Sequence, residues 1–360
     1  MSNNKKKKRK LTPEEQAHRK EVLGNLGLSL KTLINNDACI KVSREWKGFK
    51  GHGVPIIVAI LSVLLAALPS LTTRLSVSAG NNLFNSPNYG YDTGLTAFTK
   101  AMDENDVHVV IENGEAKIQG QKDLVFNYTE PDTNSYWYHK TSTKEGSETT
   151  VFEAFYNDTA NDDETFFANI AGNSDAAKTP DGVNRPTTMK WNYLAIGKKG
   201  IVWAKYKEGG TLALYVQGQY DRLEGVDLIN ATKLSNYAGN RNDLSAVANN
   251  WKPLVDKAFL TTKIQQTFGY VGIVCAVYAG MIGLFGFLIW VMTRGKNNPM
   301  RVFRIWETQR MSYWASFAPA VLAIPVGYMM SASAIGMFAF IFLFGMRILW
   351  MSMKALRPAQ

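Results

Sequence analysis

Phe268–Met292 reads FGYVGIVCAVYAGMIGLFGFLIWVM. It holds no charged side chain, and it is longer than the roughly 20 residues an α-helix needs to cross a hydrocarbon core of about 30 Å. Buried helices of soluble proteins rarely run about 18 residues or more without a charge. The stretch therefore reads as a membrane span, and three further apolar runs are measured against it. Val54–Leu71 precedes it, and Met311–Met330 and Ala334–Met353 follow; only the last carries a charge, Arg347. The four runs predict a membrane α-helical fold with four transmembrane helices, 54–71, 268–292, 311–330 and 334–353. A mixed, β-rich extracytoplasmic α+β domain, 75–262, is inserted between helices one and two.

The charge plan points the same way. A mean hydropathy of −0.15 hides a segregated chain. Residues 1–53 carry a net charge of +8, residues 75–260 about −7 and residues 261–360 about +8, within a total of +10. A basic start, an acidic middle and a basic end fit a protein whose middle is exported and whose two ends stay inside. The expected location is the cell membrane, multi-pass, with cytoplasmic N- and C-termini. Val54–Leu71 has too long an apolar core, and too long a leader before it, for a cleaved signal peptide; it reads as an anchor. The two cysteines, Cys39 and Cys275, lie outside the exported segment, which must hold itself by core burial alone.

Outside the spans, 1–53 reads as a basic tail followed by an amphipathic helix. Thr12 caps that helix, and Val22, Leu23, Leu26 and Leu30 line one face. Lys5–Lys10 is a polybasic run suited to an anionic leaflet, so no specific nucleic acid is expected. Asn113-Gly114, between two apolar-rich runs, predicts a type I′ hairpin. Tyr193–Val216 reads as short strands turning at Gly197–Gly200 and Gly209-Gly210. Residues 130–190 are polar and read as long loops or a small subdomain. A cytoplasmic helix over 294–310 is expected to start at Asn298-Pro299, with Val302, Phe303, Ile305 and Trp306 on one face. A short cytoplasmic tail, 354–360, ends the chain.

No catalytic or metal-binding signature stands out, and no cofactor is implied. Of the four histidines, only His108 and His139 share the exported segment. The acidic run Asn157–Glu164 lacks the spacing and central glycine of a calcium loop. Tyr136, Trp137 and Tyr138 form an aromatic cluster that either packs a core or touches a ligand. Arg301, Val302, Arg304, Ile305 and Trp306 are the candidate cytoplasmic docking surface. Gly272, Ala276 and Gly280 recur at i, i+4 as a helix-packing seam. Pro319 and Pro325 free backbone carbonyls in the third span. Arg347 is an intramembrane charge close enough to the inner face to snorkel.

RVFRIWETQRMSYWASFAPAVLAIPVGYM (301–329), FIFLFGMRILWMSMKALRP (340–358), the approach to the first span and HVVIENGEAKI (108–118) together resemble bacterial maltodextrin-utilisation proteins. These are multi-pass membrane proteins of unknown mechanism. The resemblance implies a transport-linked role. The expected function is a non-enzymatic membrane accessory or regulatory protein, linked to carbohydrate uptake, with the lipid bilayer and a membrane-protein or ATPase partner. The alternatives are a permease-like subunit of an ABC-type complex, by analogy of span order, and an extracytoplasmic sensor or binding module.

Overall fold

The computed structural model describes residues 24, 27–32, 34–85, 90–129, 136–142, 150–157, 163–171, 192–207, 211–294, 303–330 and 335–355. The helices are α1 (Asn36–Glu45), α2 (Gly48–Ser76), α3 (Ala79–Asn85), α4 (Tyr91–Glu104), α5 (Asp163–Ile170), α6 (Leu228–Thr232), α7 (Arg241–Met292), α8 (Ile305–Met329) and α9 (Ile335–Ala355). The strands are β1 (His108–Glu112), β2 (Glu115–Gln119), β3 (Asn127–Thr129), β4 (Tyr136–Ser142), β5 (Thr150–Tyr156), β6 (Asn192–Ile196), β7 (Gly200–Tyr206) and β8 (Leu212–Gln219). Two compact units emerge: Ser76–Gln266, and the segments up to Leu75 and from Thr267.

The unit Ser76–Gln266 is built on a six-stranded sheet in the order β3-β4-β5-β6-β7-β8. Only β5 and β6 run parallel. β7, next to the edge strand β8, is buried along its whole length, as GIVWAKY leads one to expect of a strand covered on both faces. On one face Phe152, Leu194, Ile201 and Trp203 pack with Tyr91, Leu95 and Phe98 of α4 and Trp251 and Val255 of α7. On the other, Phe155, Tyr193, Val202 and Tyr206 pack with Phe166, Phe167 and Ile170 of α5. Gly94 lets α4 lie on β5: a Cβ there would sit 2.0 Å from Phe152 Cβ. The hairpin forms as expected, with Asn113 at φ 57° and Gly114 at φ 71°. Its two turn N–H groups donate to the Glu224 carboxylate at 2.7 and 2.9 Å. The expectation of loops over 130–190 is corrected, because β4, β5 and α5 come from that segment. Its polarity hid them: the strand TVFEAFY is short and the sequence around it hydrophilic.

In the other unit, Val63, Ala66 and Ala67 of α2 share a core with Val274, Tyr278 and Ile282 of α7, Trp314 and Ala315 of α8, and Phe340 and Phe344 of α9. Tyr278 and Phe340 rings meet at 4.8 Å, and Phe285 and Phe344 at 5.1 Å.

The four-span expectation is overturned. Among the described residues, two helices are long and apolar enough to cross a membrane, Gly51–Ser76 and Arg241–Met292. Helix, not strand, is the commoner element of the chain. The run 311–330 is uncharged, but α8 is not correspondingly apolar. Gln309, Arg310, Ser312 and Ser316 place polar groups on neighbouring segments, and Pro319 and Pro325 interrupt the ladder. Ser312 Oγ donates to Ile282 O at 2.5 Å, Gln309 Nε2 to Gly283 O at 3.0 Å and Ser316 Oγ to Ser62 Oγ at 2.9 Å. Among the described residues α9 contributes a shorter apolar helix, Phe338–Ser352. The four-span order behind the permease analogy is not found among the described residues.

Candidate functional site at Arg347

The site begins with a proline. Pro319 has no N–H, so the carbonyl of Ala315, four residues earlier in α8, has no helical donor. Arg347 of α9 supplies one: its Nη1 donates to Ala315 O at 3.0 Å. The same guanidinium uses Nε on Asn36 Oδ1 at 3.2 Å and Nη2 on Thr32 O and Cys39 Sγ. Arg347 thus ties α1 and the turn before it to α8 and α9. The buried stripe Phe340, Phe344, Ile348 and Met351 fixes the rotation of α9, and Arg347 lies beside it. The expected snorkelling is corrected: the head group turns inward to acceptors on two other elements. The signal was present in the sequence as a proline four residues after a freed carbonyl plus one unexplained arginine.

The pattern repeats. Pro55 frees the Gly51 carbonyl of α2, and Arg310 Nη1 donates to it at 3.3 Å and to Trp46 O at 3.0 Å. Gly51 has to be glycine, since a Cβ would lie 2.2 Å from Trp46 O. Cys39 is fully buried, its Sγ donating to Thr32 O at 3.3 Å. Burial pushes its thiol up to about 11, against the pull of Arg347, so it stays protonated. Beside Arg347 a groove of about 800 Å³ opens, lined by Ile34, Asn36, Leu322, Leu343, Met346 and Trp350.

The predicted docking residues separate. Arg301 and Val302 lie outside the described residues, as do Asn298 and Pro299. The helix starts at Ile305, with the Arg304 N–H donating to Glu307 Oε2 at 2.9 Å. Phe303 is buried with the Arg44 guanidinium over its ring at 5.1 Å, whereas Trp306 is 68% exposed. Phe303, Ile305 and Trp306 therefore do not share one buried face.

The seam of Gly272, Ala276 and Gly280 is exposed, and a Cβ at either glycine meets nothing within 4 Å. The face of α7 that packs carries Val274, Tyr278, Ile282 and Ile289 instead. Close approach occurs at Gly286, against Gln309, and at Gly327, against Pro69.

In the unit Ser76–Gln266 the aromatic cluster splits by strand alternation. Trp137 packs on the α4 face and takes Lys122 Nζ at 4.4 Å from its ring. Tyr138 packs on the α5 face. The Tyr136 side chain lies outside the described residues. His139 sits against Phe98 and Phe126, with Nδ1 2.9 Å from Val125 O, and burial holds it below the usual histidine range. His108 lies between Asp106, at 3.1 Å, and Asp227, at 2.9 Å. Asp227 also caps α6 through the Ile229 and Asn230 N–H groups. Asp163, from the acidic run, accepts the Lys198 and Lys199 N–H groups and closes the β6–β7 turn.

Sequence reading passed over Lys205. It is fully buried on β7, donates from Nζ to Leu83 O at 2.7 Å and lies 5.6 Å from the Tyr91 ring centre. Burial lowers its pKa, opposed by Asp92. Burial likewise pushes the Asp92 carboxyl up to about 6, opposed by Lys205 and Lys252. A lysine inside an otherwise apolar strand was the available signal.

Comparison with family models, curated proteins and solved structures finds no match to this chain.

Proposed function

We propose that this chain is a non-enzymatic accessory or regulatory protein of the cell membrane. In this reading Gly51–Ser76 and Arg241–Met292 anchor it, Ser76–Gln266 is extracytoplasmic and both termini are cytoplasmic. The supporting observation is that these two apolar helices bracket an acidic middle between basic ends. The link to maltodextrin uptake rests on the resemblance of the quoted segments. Deleting the gene and measuring growth and uptake on maltodextrin tests it; unchanged values remove the sugar link. Affinity purification with mass spectrometry then identifies the partner an accessory protein requires.

A second reading, an extracytoplasmic sensor, is favoured by α7. One helix supplies Trp251, Val255 and Ala258 to one core and Val274, Tyr278 and Ile282 to the other. Ligand-dependent thermal stabilisation of the full chain, screened with sugars and peptides, is its test. A screen without a shift counts against it.

A further inference from the structure

We propose that the groove beside Arg347 binds an anionic phospholipid, its headgroup oxygen at the guanidinium and an acyl chain along the groove. The argument starts from charge. Arg347 makes no ion pair among the described residues; its partners are two carbonyls, an amide oxygen and a thiol. These satisfy its geometry without neutralising it, and a cation beside apolar walls is costly until an anion approaches. Among the described residues those contacts leave one N–H of Nη1 for a ligand.

The groove supplies the rest of the amphiphile's chemistry. Its volume of about 800 Å³ falls within the usual range of lipid-sized and drug-sized sites. Away from Arg347, Asn35 and Asn36 its lining is apolar and open to the surroundings, with Leu322, Met346 and Trp350 each more than half exposed. A polar, cationic end and an apolar length match a headgroup and a chain. Placement favours the bilayer as the source. Asn36 and Thr32 precede the first apolar helix, on the side that the positive-inside rule makes cytoplasmic, where anionic lipid is concentrated.

This inference rests on the membrane reading, so the test separates the two. Membranes containing the full chain are first washed with carbonate. Release of the chain ends both ideas; retention leaves the lipid site as the open question. The purified chain in nonionic detergent is then titrated with phosphatidylglycerol or phosphatidylcholine and followed by native mass spectrometry. The expected result is a preference for phosphatidylglycerol of about fivefold, the effect of one charge near a membrane surface. Arg347→Met abolishes the preference. Since that variant also unties α1, Leu322→Trp is the second arm. Leu322 makes none of the Arg347 hydrogen bonds, and a tryptophan there fills the groove, so retention of either lipid falls. Equal retention of the two lipids by the wild type, or undiminished phosphatidylglycerol binding in Leu322→Trp, overturns the proposal. Displacement of the phospholipid by laurate at equal concentration shows instead a general carboxylate site, which also overturns it.

Discussion

Asp92 and Gly94, two residues apart on α4, lead to opposite experiments. The Asp92 carboxyl is raised to about 6 by burial, above the roughly 3.9 of an unfolded chain. The folded state therefore holds the proton more tightly, and stability falls as pH rises between those values, with the full cost present at pH 7. Asp92→Asn is expected to stabilise the protein at pH 7 by about 1 kcal/mol, a figure already reduced because the group is only half-buried. The gain should vanish below about pH 4. Thermal melts at both pH values check it, and an equal effect at both would show that charge is not the cause. Gly94→Ala forces a methyl into Phe152 and is expected to cost about 1–3 kcal/mol or more. Gly114→Ala meets no neighbour but has to adopt φ 71°, a cost of about 1 kcal/mol. Denaturant unfolding ranks the two. Gly114 was readable from its Asn-Gly pair; Gly94 was not, because nothing local marks the arrival of a strand from beyond residue 150.

Among elements, two half-buried arginines of the helical unit, Arg310 and Arg347, each answer a proline. Arg347→Met leaves the Ala315 carbonyl without its donor and the Thr32 carbonyl with only the Cys39 thiol, and is expected to cost about 2–3 kcal/mol. Pro319→Ala gives Ala315 a helical N–H partner, so the double variant should lose less than the two single variants summed, by about 1 kcal/mol. A second readout is chemical. Cys39 is sealed under α1 beside Arg347, so maleimide labelling should be slow in the wild type and faster in Arg347→Met. Unchanged labelling would mean that α1 docks without the arginine. Pro319 and Arg347 could each be noted in the sequence, but their pairing depends on how α9 lies against α8, which periodicity does not encode. Asn298-Pro299 lies outside the described residues; the described helix begins at Ile305, where Glu307 reaches back to Arg304.

For the chain as a whole, hydropathy locates the apolar stretches of α2 and α7 but neither the start of α7 at Arg241 nor the number of spans. Counting charges treats α8 as equivalent to α7. Yet Ser312 and Ser316 are buried hydrogen-bonding residues, and an uncharged run is not thereby an apolar one. The sheet was legible where glycine turns separate its strands, as in 193–216, and illegible across 130–190, where polar loops swamp β4 and β5. The orientation has its own measurement. With Cys39 and Cys275 replaced by alanine, Leu124→Cys should react with an impermeant maleimide on intact cells, and Trp306→Cys only after lysis. Both positions are exposed, so access depends on which side each occupies. Labelling of Trp306→Cys on intact cells would reverse the proposed orientation.

Trp251 sets a schedule. It is fully buried, its indole N–H donating to Thr99 Oγ1 at 3.2 Å and its ring 6.4 Å from that of Trp203. Chains are made from the N-terminus, so the sheet and α4 leave the ribosome before the tryptophan that closes their core. By the time Ala258 follows, Phe268 and the apolar run behind it are close to emerging. In the proposed orientation, the unit Ser76–Gln266 would reach completion only as the second apolar helix is about to engage the membrane. The end of export and the end of folding would then be nearly one event.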